Sequence, residues 1–252
     1  MPIIWVTGDT HGDWIHRVNM DSFPEQREMS KDDYVIILGD FGIWRDSPQQ
    51  RWYLNWLEEK HFTTLFIDGN HENYDILDSY PVEEWHGGKV HFIKPSIIHL
   101  MRGQVFEIDD LKFFTFGGAS SHDISDGVLE IDDPRVKEWR DDPDKMYRIN
   151  HISWWEREMP NQEEMDEGIK NLAEHNNKVD FILTHCTASS TAALLSHGLY
   201  RPDKLTNYLE EIRCNVDYKR WLCGHYHDNK AITIKAVSYT HLRAHETKAN
   251  LV

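Results

Sequence analysis

The chain is predicted to adopt an α/β fold in which helices cover both faces of a sheet, and three observations carry that prediction. Continuous apolar runs of strand length recur along the sequence. Segments of helical periodicity lie between them. A polar cluster, usually led by glycine, directly follows each run, which is where open α/β sheets gather their functional side chains.

In chain order, Ile3-Ile4-Trp5-Val6 reads as a short buried strand ending at Gly8, and Tyr34-Val35-Ile36-Ile37-Leu38 as a second ending at Gly39. Leu65-Phe66-Ile67, Phe181-Ile182-Leu183 and Trp221-Leu222-Cys223 follow the same plan. Because these runs do not alternate with polar residues, both faces of each strand must be covered. Residues 48–59 and 162–175 carry the period of amphipathic helices, and 203–213 opens on Asp203 as an N-cap. From 90 to 116 the pattern changes to four short strands, at 90–93, 96–101, 104–108 and 111–116, with Asp109-Asp110 as a turn. These suggest a second sheet packed behind the first. Residues 119–160 form a polar, acidic excursion with little periodicity that ends in Trp154-Trp155. Long loops of this kind often close over sites, so 119–160 is read as a candidate lid.

Five motifs occupy the strand ends: Asp9-Thr10-His11, Gly39-Asp40, Gly69-Asn70-His71-Glu72, Thr184-His185 and Gly224-His225-Tyr226-His227. Each is weak alone, since Asp-x-His arises by chance in a chain this long. Their order, glycines and preceding strands make the set specific. Carboxylate, imidazole and amide oxygen suit a divalent cation such as Mn, Fe or Zn, and no cysteine takes part. Gly8 and Gly12 flank a tight loop in which Asp9 and His11 can face one cation. Asp40 is a natural bridge, because a carboxylate can hold two cations. Asn70 offers a neutral oxygen, which keeps the site from repelling phosphate. His225 and His227, two apart in an extended segment, point the same way.

Together the blocks resemble the calcineurin-like metallophosphoesterase superfamily, whose pattern runs D-x-H, G-D, G-N-H-E/D, a lone His, then G-H-x-H. They span Asp9 to His227. The resemblance implies a four-layer αββα sandwich of two mixed β-sheets flanked by helices, with the metal site at strand C-terminal ends. It implies two divalent metal ions, Mn first and Fe or Zn next. Asp9, His11, Asp40 and His227 would hold one; Asp40, Asn70, His185 and His225 would hold the other. Such ions sit roughly 3.5–4 Å apart, share a water and lower its pKa toward neutrality. His71 matches the family's catalytic histidine, which hydrogen-bonds the phosphoryl oxygen or protonates the leaving group. Asp46, Glu72 and Asp75 are the alternatives for its carboxylate partner.

The implied activity is metal-dependent hydrolysis of a small phosphomonoester or phosphodiester by a two-metal-bridged hydroxide. One alternative is a serine/threonine-type protein phosphatase. That branch reads G-D-x-x-D-R-G, and Gly39-Asp40-Phe41-Gly42-Ile43-Trp44-Arg45 lacks both the second Asp and the Arg-Gly, although Gly8 to Gly12 resembles it. The other alternative is a non-catalytic phosphoesterase-fold scaffold. Such proteins lose metal ligands or the catalytic histidine, whereas this chain keeps them all.

Several residues stay open at this level. In Gly117 to Asp123 the glycines permit close backbone approach, so His122 or Asp123 could overhang the metals, a plain turn being the simpler reading. Trp154-Trp155 can wall a substrate cleft or pack under a loop. Arg45 and Arg148 can grip a phosphate or lie in solvent. His16, His61, His86, His91, His99, His151, His175 and His197 lack ligand spacing and read as capping or surface groups.

At 252 residues, with 40% apolar and 12% aromatic content, the chain can bury the core of a single domain, expected over 1–236. Its formal charge of −16 repels phosphate backbones, so no extended nucleic-acid surface is expected; small phosphorylated substrates stay compatible because bound cations make the site locally positive. No apolar stretch approaches the roughly 20 residues that cross a bilayer, and Met1-Pro2 lacks a signal-peptide pattern. No membrane partner and a cytoplasmic location are therefore expected. Cys186, Cys214 and Cys223 are sparse and odd in number, which points to reduced thiols. Val237 to Thr247 matches one reading frame of a transposase sequencing adapter, so 237–252 is expected to be a non-native tail outside the fold. His241 and His245 are accordingly not counted as ligands.

Overall fold

The computed structural model describes residues 2–234, 237–241 and 249–250. In the first sheet β1 (Ile4–Thr7), β2 (Tyr34–Leu38) and β3 (Thr63–Ile67) run parallel. β4 (Val82–Trp85), β5 (Gly88–Lys94) and β6 (Ile97–Leu100) complete it in the order β1-β2-β3-β6-β5-β4, with β6 parallel to β3 and β5 antiparallel to both neighbours. The second sheet begins with β7 (Gln104–Ile108) and β8 (Leu111–Phe116), a hairpin whose turn residues Asp109 and Asp110 have φ of 52° and 65°. Positive φ at both central positions is the two-residue turn that matches strand twist. A parallel ribbon, β9 (Gly127–Leu129) and β10 (Tyr147–Ile149), stands apart from both sheets. β11 (Lys178–Thr184), β12 (Asp217–Cys223), β13 (Ala231–Ile234) and β14 (Val237–His241) finish the second sheet in the order β13-β14-β12-β11-β8-β7. β15 (Ala249–Asn250) pairs with β1 at the edge of the first.

Strand alternation sorts the side chains into layers. In β2, Ile36 and Leu38 face the second sheet, while Val35 and Ile37 face the helices. In β11 and β12, Phe181, Leu183 and Leu222 enter the inter-sheet core, and Ile182, Trp221 and Cys223 the opposite face. Helices α1 (Trp14–Arg17), α2 (Pro48–Glu58) and α3 (Tyr74–Leu77) cover the first sheet through Trp14, Leu54, Leu57, Tyr74 and Leu77. After α4 (Pro134–Trp139), the second sheet is covered by α5 (Gln162–Glu174) and α7 (Lys204–Asn215), which contribute Met165, Leu172, Leu205 and Leu209 among others, and α6 (Ser189–Leu195) packs on α7 with Ala192 buried. The result is the expected four-layer αββα sandwich. The Asp203 side chain accepts from Thr206 N at 2.7 Å, which caps α7 as its sequence predicts.

Three expectations need correction. The strands between 88 and 116 do not form one sheet: β5 and β6 join the first and only β7 and β8 open the second. Alternation reports which positions are buried, not which sheet they pair with. The 119–160 excursion is less irregular than its composition suggests, holding β9, β10 and α4, braced internally by the Arg148–Asp123 ion pair and tied down by the His151–Asp75 and Arg157–Asp78 pairs. Finally, the backbone of Val237–His241 enters the second sheet between β12 and β13, so this part of the tail is not outside the fold. His245 and the His241 side chain lie outside the described residues.

Candidate metal centre

β1, β2 and β3 of the first sheet and β8, β11 and β12 of the second end along a common edge, and each motif follows one of these ends. The chain turns sharply there. His11, Asp40, His225 and His227 have φ of 48°, 46°, 67° and 47°, the left-handed region that non-glycine residues rarely occupy and that functional sites retain. At Asp40 the turn has a visible purpose. It aims the carboxylate at the centre, while the next side chain, Phe41, stacks on Phe66 in the helix-facing core at 4.0 Å between ring centroids. Two glycines admit close approach: a Cβ at Gly39 would strike the His185 ring, and one at Gly224 the Asp9 carboxylate.

These turns bring all seven candidate donors together. His227 Nε2 lies 3.2 Å and His11 Nε2 4.0 Å from Asp9 Oδ2, and His11 Nε2 is 3.6 Å from Asp40 Oδ2. The two imidazole nitrogens of His11 and His227 are 3.4 Å apart. On the other side, His185 Nε2 sits 3.4 Å from Asp40 Oδ1 and 3.2 Å from Asn70 Oδ1. The rings of His185 and His225 meet edge to face at 5.0 Å. Asp40 thus stands between two groups, Asp9, His11 and His227 on one side and Asn70, His185 and His225 on the other. Carboxylates and imidazoles so closely gathered, with few cations to neutralise them, fit a divalent metal; Asp9-His11-His227 and Asp9-Asp40-His185 each converge closely enough to hold one.

The protonation states of Asp9 and His225 suit ligation, while Asp40 and Asp9 outweigh burial and raise the pKa of His185, so a cation there would displace a proton. Burial pushes the Asp9 carboxyl up, but His185, His227 and the His225 backbone N–H outweigh it and hold the group well below the usual carboxylate range. Burial and the neighbouring His185 keep the His225 imidazole neutral by lowering its pKa well below the ordinary value. Ionised carboxylate and neutral imidazole are the forms that bind cations.

Surrounding groups fix these side chains, and several were not legible as part of the site. Arg17 Nη2 donates to Thr7 Oγ1 at 3.1 Å and to the Asp9 carbonyl at 3.0 Å, bracing the first loop from behind. His11 N donates to Asp40 O at 2.7 Å and Thr10 Oγ1 to Phe41 O at 3.0 Å, which locks the first two loops together. Asn70 Nδ2 donates to Ser121 Oγ at 3.3 Å, so the amide oxygen rather than the nitrogen faces His185. Ser121 is itself held by Glu158, whose carboxylate accepts from its N at 2.8 Å and its Oγ at 2.7 Å. Nothing in the second of two adjacent serines or a glutamate 37 residues later signals this pairing in sequence.

His71 N donates to Asp40 Oδ1 at 2.8 Å, which places its ring beside the His11 ring at 5.4 Å. Burial lowers the His71 pKa, so the imidazole is neutral near pH 7. None of its three candidate carboxylate partners fills that role, each being committed elsewhere. Asp46 pairs with Arg51, and Asp75 accepts from His151 and from Trp155 Nε1. Glu72 turns back to accept the backbone N–H groups of Phe41, Gly42 and Ile43 at 2.5, 3.1 and 3.3 Å, so it shapes the loop carrying Asp40. A cavity of about 540 Å³ opens beside His71, lined among others by Trp44, Arg45, Tyr53, Arg148 and Trp155. Both open arginines therefore border one cavity, and the buried Trp155 both packs and walls it. His122 is not confined to a plain turn: its Nε2 lies 3.4 Å from His225 Nε2. Asp123 instead pairs with Arg148.

The sequence model of the calcineurin-like phosphoesterases matches residues 3–229. Among curated proteins, none matches the sequence significantly. The fold is similar to that of a phosphopantetheinyl hydrolase from Mycobacterium tuberculosis, with a TM-score of 0.50 and 14% identity over 96% of this chain and 90% of that one. A protein provisionally described as a 5′-nucleotidase from Staphylococcus aureus, solved with alpha-ketoglutarate, aligns with a TM-score of 0.48 and 16% identity over 97% of this chain and 49% of its own.

Proposed function

The chain belongs to the calcineurin-like phosphoesterase family and is a metal-dependent phosphoester hydrolase, and from that premise we propose that it uses two divalent cations to hydrolyse a small phosphomonoester or phosphodiester in the cytoplasm. The observation that carries the proposal is convergence. Seven donors from five strand-end loops, Asp40 at their middle, come together, and His71 stands between them and a cavity of small-molecule size. Asp9, His11, Asp40 and His227 would hold one ion and Asp40, Asn70, His185 and His225 the other, with Mn preferred over Fe or Zn. When bound, the pair supplies a water nucleophile near neutral pH and positive charge for the phosphoryl oxygens.

The remaining chemistry belongs to the chain's own residues. Neutral His71 is placed to donate its N–H to a phosphoryl or leaving-group oxygen, and its backbone bond to Asp40 keeps that donor in register with the metal-facing carboxylate. Arg45 and Arg148 supply positive charge in an otherwise acidic protein, and Trp44 and Trp155 exclude water from the leaving-group side. A cavity of this volume and a charge of −16 favour small anions over polymers.

The test is hydrolysis of p-nitrophenyl phosphate and bis-p-nitrophenyl phosphate with added Mn²⁺ by wild type, Asp40→Asn and His71→Ala. Turnover falling by at least 100-fold in both folded variants is expected, and the better substrate distinguishes monoesterase from diesterase. A folded, metal-loaded wild type that turns over neither substrate would favour the scaffold reading.

A further inference from the structure

We propose that His122 is an additional ligand of the second cation, completing a set otherwise made by Asp40, Asn70, His185 and His225; this rests on the two-cation reading above. The argument begins with a distance. Two nitrogens bound to one ion at about 2.1 Å, with an angle between them of roughly 90–110°, lie about 3.0–3.4 Å apart. His122 Nε2 and His225 Nε2 are 3.4 Å apart. His11 and His227, which would share the first ion, show the same 3.4 Å between the same atoms. The protein therefore carries two matching imidazole pairs, one on each side of Asp40. As a hydrogen bond 3.4 Å is long, and one ring would have to give its lone pair to its neighbour's proton rather than to a cation.

Position supports the distance. His122 follows β8, whose C-terminal end lies on the same edge as those of β11 and β12. Its chain neighbours are both fixed: Ser121 by Glu158, and Asp123 by its ion pair with Arg148. Ser121 also bonds Asn70, a proposed ligand of the same ion, so one loop would orient two members of the set. The His122 ring lies nearly parallel to Tyr200, 5.7 Å between centroids with 8° between planes, and Tyr200 leans on Tyr226 between the two histidines of the last motif. The His122 ring is exposed yet stacked on Tyr200, its chain neighbours are fixed, and its Nε2 faces His225 Nε2.

Calorimetric titration of the chelator-stripped chain with Mn²⁺, and visible absorption of the Co²⁺-loaded chain, test the assignment without reference to turnover. Wild type should take up two equivalents. In His122→Ala, whose exposed side chain supports no core, the first equivalent should bind as before, the second should weaken at least 10-fold, and the Co²⁺ spectrum should change. Two equivalents with wild-type affinities and an unchanged spectrum in His122→Ala would overturn the inference and leave the two-cation reading standing. Fewer than two equivalents in wild type would overturn both.

Discussion

His185 Nδ1 lies 2.8 Å from the Leu38 carbonyl oxygen, so a single imidazole ties the end of β11 in the second sheet to the end of β2 in the first. Donation from Nδ1–H leaves the Nε2 lone pair facing Asp40 and Asn70, which fixes the tautomer a cation requires. His185→Ala should therefore have two separable effects. Mn²⁺ affinity should fall at least 100-fold, and the metal-free protein should lose about 1–3 kcal/mol because a buried carbonyl forfeits its donor. Urea unfolding in excess chelator isolates the second effect; wild-type stability there would show that the cross-sheet bond holds nothing.

Glu158 touches none of the seven proposed ligands, yet it holds Ser121, and Ser121 decides which end of the Asn70 amide faces inward. Glu158→Ala should weaken metal binding by about 10–100-fold, the range typical of lost orienting groups. Calorimetry on Glu158→Ala and Ser121→Ala would measure it. Full affinity in both would mean that Asn70 keeps its orientation unaided.

Beneath the site, Arg102 donates to Asp68 Oδ2 from Nε at 2.8 Å and Nη2 at 2.5 Å, with both side chains buried. Removing one partner strands a charge. Arg102→Met should cost about 3–5 kcal/mol. The double variant with Asp68→Asn should cost less than the sum of the singles, since the second change relieves what the first leaves unpaired. Additive denaturation midpoints would count against the coupling.

His91 gives a pH signature away from the metal loops. Burial, and then the neighbouring His99, lower its pKa to about 4. An unfolded histidine takes up its proton near 6.5, so between about 6.5 and 4 the unfolded state binds more protons and stability falls as pH falls. Below pH 4 this contribution levels off. His91→Gln should flatten the stability profile across that window; an unchanged slope would assign the pH dependence to other groups.

The five motifs were legible because each follows an apolar strand and a strand end fixes where its loop emerges. The side chains that hold those loops in place were not. Glu72 reads like a partner for the adjacent His71, but three backbone N–H groups of the Asp40 loop offer it a better enclosed site, and no spacing rule encodes a carboxylate turning back on itself. Likewise β5 and β6 read as short strands just as β7 and β8 do; they belong to the first sheet because β6 pairs with β3, a contact more than 30 residues away, and β5 with β6. The excursion resisted reading because its ties to the rest of the chain, His151 to Asp75 and Arg157 to Asp78 and Glu164, leave no periodic trace.

The order of the five loops along the chain also sets a schedule for synthesis. Asp9, His11, Asp40 and Asn70 leave the ribosome first, and His185, His225 and His227 last. Until the carboxyl-terminal third emerges, the nascent cluster is two carboxylates, an amide and one imidazole, a mostly oxygen donor set of the kind that favours hard ions such as magnesium or calcium. The late histidines would add three imidazole donors, which suit transition metals. On the proposed ligand set, the residues that would complete the site are thus the last of its members to be made.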